Sequence, residues 1–496
     1  MAISITQTPS TYNLVVGPNV WVLSGLTAVE DAYALAVEID GVTVATFQQP
    51  ANPAGKCIFD ASKLLQSYLS PEFIAPSFYG TENPFEELIT GTNANEDYGG
   101  STNGGTLTAY YRIRYGSVTD NVITWTSYST TKVIFNGYKP FYDLNWNPNA
   151  LLYAPNLTVE PCESNPGDMG VTTVNWRYLT DFPYRDASGA LTGLNQRIAL
   201  NQYATLSWFN YLDNAATFDT YNFVPYVIQF DYRNAAGGTL QRTLASISGQ
   251  ANIGPRTDIN DQGAYTFDAK DGVGQFGVGP QNLKDADDDG TYGVDLWVLP
   301  VNEAALDHYY VKIWTFNSCL YTDNGSPTID YSDFAEVEDY LLDEIYEMRY
   351  DIVSYDCQKF EPIQFSWINS LGTHDYYTFY KRNTETDNIT RNNYYQLPGS
   401  WSGTTYEVYP YNRGSRTYST SIVQSWTAQT DYMSELEGEY LRSLFVSPSV
   451  NIYWDGKWQS VELTSNSYEY QTFGRDKLFR YTITFNTAVN PRVQRG

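Results

Sequence analysis

Histidine, cysteine and methionine are scarce in this 496-residue chain, which holds two His, four Cys and four Met. The two histidines, His308 and His374, each follow or precede an aspartate, Asp307 and Asp375. No G-x-S-x-G elbow accompanies them, so triad catalysis has little to stand on. Clustered zinc ligands are absent for the same reason. The cysteines, Cys57, Cys162, Cys319 and Cys357, have neither metal-ligand nor redox spacing, and are expected as buried free thiols in a reducing compartment. Positive charge is also short: 29 Lys and Arg face 56 Asp and Glu, a formal net charge of −27. That balance disfavours phosphate backbones and anionic membranes, which are held by Lys and Arg. There is no apolar run long enough for a spanning helix. The opening residues lack the basic and apolar segments of a secretory signal, so none is expected.

Aromatic side chains are abundant instead, with 44 Tyr, 23 Phe and 12 Trp. Such a chain packs cores despite its charge, and its length suggests about three domains. Period-two and continuous apolar segments dominate, which predicts an all-β fold of immunoglobulin- or fibronectin-like sandwich modules with a few short helices. Asp40-Gly41 separates Tyr33–Ile39 from Val42–Phe47, and Asp455-Gly456 separates Asn451–Trp454 from Lys457–Leu463. Both read as tight hairpins. Further strands are expected at Leu206–Tyr211, Tyr226–Arg233, Thr239–Ala245, Val294–Val298, Tyr309–Phe316, Ile363–Ile368 and Leu478–Phe485.

A first domain is predicted over 1–140, interrupted by a short helix at 60–69 with Asp60 as its N-cap. A middle β-sandwich follows over 141–325, and a β-rich C-terminal domain over 326–496. The stretch Asp333 to Met348 offers a helical face of Phe334, Val337, Leu341, Leu342 and Ile345, while its Tyr-rich flanks also permit a strand. Ser434-Glu-Leu-Glu437 is a capping box opening a helix. The segment 382–417 is polar, poor in aliphatic residues and too long for an ordinary loop, so it reads as either an extended arm or an interaction loop. Ser207-Trp-Phe-Asn-Tyr-Leu212 is echoed by Ser366-Trp-Ile-Asn-Ser-Leu371.

Two motifs invite chemistry. Asp285, Asp287 and Asp289 alternate before Gly290, with the Thr291 carbonyl next. This is the first half of an EF-hand-like loop for a structural calcium. Leu296 stands where the bidentate Glu belongs, and a solvated acidic turn is the other reading of 285–291. Gly272-Val-Gly274-Gln-Phe-Gly277 matches a dinucleotide fingerprint, but Gly279-Pro280 follows and no helix is expected there, so it reads as a plain loop. Carboxylate pairs for glycoside hydrolysis cannot be picked from so many acids without geometry.

Three phrases together resemble tail-associated virion proteins of crAss-like and related Bacteroidetes-infecting phages. They are Phe59-Asp-Ala-Ser-Lys-Leu-Leu-Gln-Ser-Tyr-Leu69, Cys357 through Gly372 continuing His374-Asp-Tyr-Tyr-Thr-Phe379, and Leu441 through Tyr453 with the closing Leu478–Phe485. The resemblance implies a non-enzymatic tail subunit without catalytic or cofactor-binding residues, in a 6- or 12-fold ring near the portal, along the tail barrel or at the hub. It implies partnership with itself and with other tail and portal proteins, and assembly in the host cytoplasm. An acidic lumen would then keep passing DNA from adhering. Two other classes stay open: a glycan-binding tail-tip protein and a polysaccharide depolymerase.

Overall fold

The computed structural model describes residues 3–71 (apart from 10–11, 28–29 and 40), 73, 75–76, 87–88, 105–138 (apart from 107), 174–183, 185–186, 194–212, 226–247, 273–288, 305–316, 341–353, 360–409, 411, 414–465 and 480–489. Most of these residues lie in strands, gathered into several sheets, with short helices between. The chain divides into two compact units, Met1–Ser354 with Ile368–Asp375, and Tyr355–Trp367 with Tyr376–Gly496. No helix among the described residues is long and apolar enough to cross a membrane.

At the start of the first unit, a three-stranded sheet (Ser4–Gln7, Val20–Ser24, Cys57–Asp60) shares one core with a larger sheet built on Ala32–Ile39 and Thr108–Thr119. Alternation explains the pairing. Trp21 and Leu23 of one sheet and Tyr33, Leu35 and Val37 of the other are wholly buried, with Trp21 edge-on to Tyr111 at 6.2 Å. Asp120 and Asn121, both at positive φ, turn Thr108–Thr119 into Val122–Tyr128, which their short polar side chains tolerate.

The short helix is real but smaller than expected. It spans Ser62–Gln66, and its N-cap is Ala61, with no side-chain cap. Asp60 instead sits one position earlier, where its Oδ1 accepts from the Ser62 amide at 3.0 Å and from the Asn19 amide at 3.1 Å. A strand ending at Asp60 has spent that residue on the sheet, which displaces the cap by one.

The rest of the first unit holds a four-stranded sheet (Glu87–Leu88, Val174–Tyr178, Thr205–Leu212, Val273–Gly277) and a six-stranded one (Arg185–Asp186, Gln196–Ile198, Tyr226–Arg233, Thr239–Ile247, His308–Phe316, Leu341–Ile352). Tyr232, Tyr309 and Tyr350 are buried together, with Tyr309 and Tyr350 stacked at 5.1 Å. Asn234 closes the hairpin between Tyr226–Arg233 and Thr239–Ile247 by accepting from the Ala236 and Gly238 amides.

The helical face expected between Asp333 and Met348 is overturned where it is described, because Leu341–Ile352 is a strand paired with His308–Phe316. Long-range pairing with a tyrosine-rich neighbour outweighs a helical spacing of apolar residues. Residues 341–352 belong with the first of the two units, which ends this stretch at Ser354. The expected boundary at 140/141 and the strand Val294–Val298 lie outside the described residues.

The second unit is organised on a seven-stranded sheet in the order His374–Phe379, Ile363–Ile368, Val450–Trp454, Lys457–Leu463, Thr482–Thr487, Gly414–Gln429, Asn383–Gln396. The closing strand begins at Thr482, four residues later than expected. Helix Glu435–Val446 carries the full capping box: Ser434 Oγ accepts from the Glu437 amide, and Glu437 accepts from the Ser434 amide at 2.8 Å. It buries Tyr440, Leu441 and Leu444.

Residues 368–375, counted with the first unit, form a turn closed by Gly372 at φ +90°. A Cβ there would stand 1.8 Å from the Asn136 carbonyl oxygen. Gly372→Ala is therefore expected to lower the melting temperature well beyond Gly41→Ala, whose φ is +81° but whose surroundings are open. The control carries only the left-handed penalty of about 1–2 kcal/mol. Equal melting temperatures for the two variants would contradict the close approach.

Candidate functional site

The expected arm is a long β-ribbon. Asn383–Gln396 (14 residues) pairs antiparallel with Gly414–Gln429 (16 residues) along its whole length. Thr, Ile, Val and Tyr suit a strand, and alternation leaves both faces polar, so the pair gains little from burial. Side-chain bonds across the strands compensate. Asn388 Nδ2 donates to Ser425 Oγ at 2.8 Å, Asn392 Nδ2 to Ser419 Oγ at 2.9 Å, and Thr417 Oγ1 to Asn393 Oδ1 at 2.7 Å. The register slips between Asn392 and Asn393, which leaves Tyr418 unpaired and edge-on to Tyr394 at 6.3 Å.

Only the base of the ribbon is held by the sheet. Gly414–Gln429 pairs with Thr482–Thr487 through Ser425–Gln429, and from Gln424 outward the two strands have only each other among the described residues. Ten residue pairs at roughly 3.3 Å each put the tip some ~30 Å beyond that support.

The tip is structured. Ser400–Trp401 pairs with Tyr406–Glu407, and Tyr406 Oη donates to the Pro398 carbonyl at 2.8 Å. Gly399, at φ +124°, allows this, since a Cβ would lie 2.3 Å from the Glu407 carbonyl oxygen. The Tyr409 hydroxyl donates to Glu407, which raises the Tyr409 pKa, and its ring stacks on Tyr411 at 5.5 Å. Nine of the twenty exposed large apolar residues among those described lie between Ile389 and Tyr418, including Tyr395 at 73%, Trp401 at 66% and Tyr411 at 82% exposure. A concentration of this kind marks a contact surface, because single exposed apolar residues are scattered on ordinary surfaces.

The sequence-derived metal site fares differently. Pro280–Asp288 is a helix, so Asp285 and Asp287 occupy helical positions and not a loop. Asp289 and Thr291 lie outside the described residues. Among those that are described, no group of three His, Cys, Asp or Glu is placed to hold a metal ion.

The glycine pattern at 272–277 is also corrected. Val273–Gly277 is a strand and a helix does begin at Pro280, contrary to the loop expected from Gly279-Pro280. Pro suits the first turn of a helix because its missing N–H is not needed there. The glycines nonetheless serve packing. Asn282 Oδ1 accepts from the Gly279 and Ala204 amides, its Nδ2 donates to the Pro76 carbonyl, and a Cβ at Gly279 would lie 2.4 Å from the Ala204 nitrogen. Protein fills the place a pyrophosphate would need.

Of the two histidines, His308 Nδ1 lies 2.8 Å from Asp307 Oδ2 and is edge-on to Tyr310, and His374 is buried edge-on to Phe73. Cys57 is a buried free thiol, and burial pushes its pKa up to about 11. A thiol of that kind is a poor nucleophile.

Reasoning from sequence missed one cluster. Asp375, wholly enclosed, accepts from Thr180 Oγ1 at 2.5 Å and from the Asp181 amide at 3.0 Å. Asp181 in turn accepts from the Ser370 amide at 2.7 Å and from the Ser370 hydroxyl. Asn369 ties the same turn, donating to the Leu179 carbonyl at 2.8 Å and accepting from the Leu371 and Thr373 amides. Burial first, and the Asp181 charge second, push the Asp375 pKa up to about 8. Its partners lie 195 and 194 residues away in sequence, so no local pattern signals it. The echo between Ser207–Leu212 and Ser366–Leu371 does not extend to structure: Asn210 lies within a strand, whereas Asn369 organises a turn.

No protein-family model matches this chain, and no curated protein does either.

Proposed function

We propose that this protein is a non-enzymatic structural subunit of a virion, forming an oligomeric ring in a bacteriophage tail at the portal-proximal collar, the barrel or the hub. The paired sheets of residues 3–138 are, in this reading, an immunoglobulin-like sandwich module. The observation that carries the reading is the ribbon: an exposed, structured, aromatic-tipped projection that contributes little to its own unit's core. Contact surfaces between subunits are enriched in Tyr and Trp. The resemblance of Phe59–Leu69, Cys357–Phe379 and Leu441–Tyr453 to tail-associated virion proteins supplies the virion context.

A depolymerase would need two carboxylates flanking an open cleft. The carboxylates brought together at Asp181 and Asp375 are committed to backbone and hydroxyl donors, and Asp375 is enclosed. A glycan-binding tail-tip protein would use the same exposed Trp401 and Tyr411, and differs in where the subunit sits.

Electron microscopy of virions, with the subunit located by antibody label or fitted density, tests the proposal. A closed ring inside the tail axis is expected. A position at a fibre tip, or a purified chain that remains monomeric at every concentration, would overturn it.

A further inference from the structure

We propose that the ribbon is a clasp between subunits: its outer part, residues 387–424, docks on the acidic body of a second copy of this chain. This rests on the assembly reading above and names its contact.

Charge identifies the partner. Residues 387–424 contain Arg391, Arg413 and Arg416 against Asp387 and Glu407, a net +1, while the whole chain carries −27, leaving −28 on all the rest. A positively charged projection on an acidic chain is complementary to the body of its own kind. Arg391 and Arg416 are exposed on the ribbon, one on each strand. Electrostatic complementarity of this kind steers encounter and sets orientation, and nearby aromatics supply the affinity.

The backbone points the same way. Asn383–Gln396 is paired on one side only, and Ser415–Gln424 likewise, among the described residues. Long open edges are normally guarded by Lys, Pro or inward charges. Neither Lys nor Pro occurs in either strand, so the guards are few: Glu385, Asp387, Arg391, Arg416 and the register slip at Asn392/Asn393. Open edges thus flank a tip whose backbone is already ordered by Gly399 and Tyr406, so Trp401 and Tyr411 dock with little loss of freedom. Because projection and receiving surface are different parts of the chain, the contact is heterologous, and repetition closes a ring when the rotation permits.

The test uses the full chain. Self-association is measured by mass photometry and sedimentation velocity for the natural sequence, for Arg391→Glu with Arg416→Glu, and for Trp401→Ala with Tyr411→Ala. All four positions are exposed, and thermal melting checks that the variants fold. We expect the reversal pair to weaken association by about tenfold or more at low salt, and the difference to shrink by about 0.5 M salt. A photo-crosslinking residue at position 401, in a mixture of isotopically heavy and light chains, is expected to give heavy–light products. Variants that assemble as the natural chain does, or crosslinks confined to single chains, would overturn the clasp and leave the ring reading standing. A natural chain that never assembles overturns both. Trp401-dependent binding to host polysaccharide without self-association would replace the clasp with a glycan site.

Discussion

Trp367→Ala is expected to destabilise the second unit by about 3–5 kcal/mol, as truncation of a fully buried Trp does when its surroundings cannot collapse. Trp367 has no exposed surface. Its ring packs against Tyr440 at 5.3 Å, and its Nε1–H donates to Ser443 Oγ at 2.9 Å. Truncation opens a cavity between sheet and helix Glu435–Val446 and removes that donor. Two controls separate the terms. Trp367→Phe keeps much of the volume and loses the donor, while Ser443 Oγ still donates to the Tyr440 carbonyl at 2.9 Å, so its cost is smaller. Ser443→Ala strands the buried indole N–H, at about 1–3 kcal/mol. Denaturant unfolding of the full chain, followed by Trp fluorescence and by far-UV circular dichroism, gives the ordering. A Trp367→Ala midpoint indistinguishable from the natural chain would show that the helix is not seated on this residue.

The second large effect is a dependence on pH centred on Asp375. Its folded pKa, about 8, lies above the ordinary aspartate value. The enclosed carboxyl holds its proton more tightly when folded than when unfolded. Its contribution to stability is therefore fully present below about pH 4, and is lost progressively as pH rises from there through about 8. From pH 5 to pH 9 the natural chain should lose several kcal/mol on this account. Asp375→Asn, which has the shape of the protonated acid and cannot ionise, should flatten that slope while staying near the natural stability at low pH. Asp375→Ala should be destabilised throughout, because the Thr180 hydroxyl and the Asp181 amide lose their acceptor. Urea midpoints at pH 5, 7 and 9 decide the matter. A slope unchanged in Asp375→Asn would mean that Asp375 is already ionised when folded.

These two effects bear on the phrase that carries part of the virion resemblance, Cys357 through Phe379. Trp367 anchors a helix, Asn369 and Gly372 shape a turn, and Asp375 closes a buried polar knot. Each of these residues has a folding task.

Much of the β architecture was legible beforehand because its signals are local. Alternation marks Ala32–Ile39 and Tyr226–Arg233, Asp455 and Gly456 turn at positive φ, and Ser434 and Glu437 cap each other within one helical turn. The arm was legible as an anomaly, too long and too polar for a loop. Its pairing was not, since a ribbon with both faces polar has no alternation to read.

Where a local pattern admits two readings, long-range pairing decides between them. Apolar spacing over Leu341–Ile345 fits a helix, yet a strand at His308–Phe316 offers a full ladder of hydrogen bonds. By itself the sequence determined composition-level properties: an acidic, aromatic-rich, strand-forming chain. Tertiary structure alone decided which carboxylates meet, as at Asp181 and Asp375, and which residues stay outside every core, as at Trp401 and Tyr411. Proximity between residues far apart in the chain depends on how sheets pair and pack, and local propensity carries no record of that.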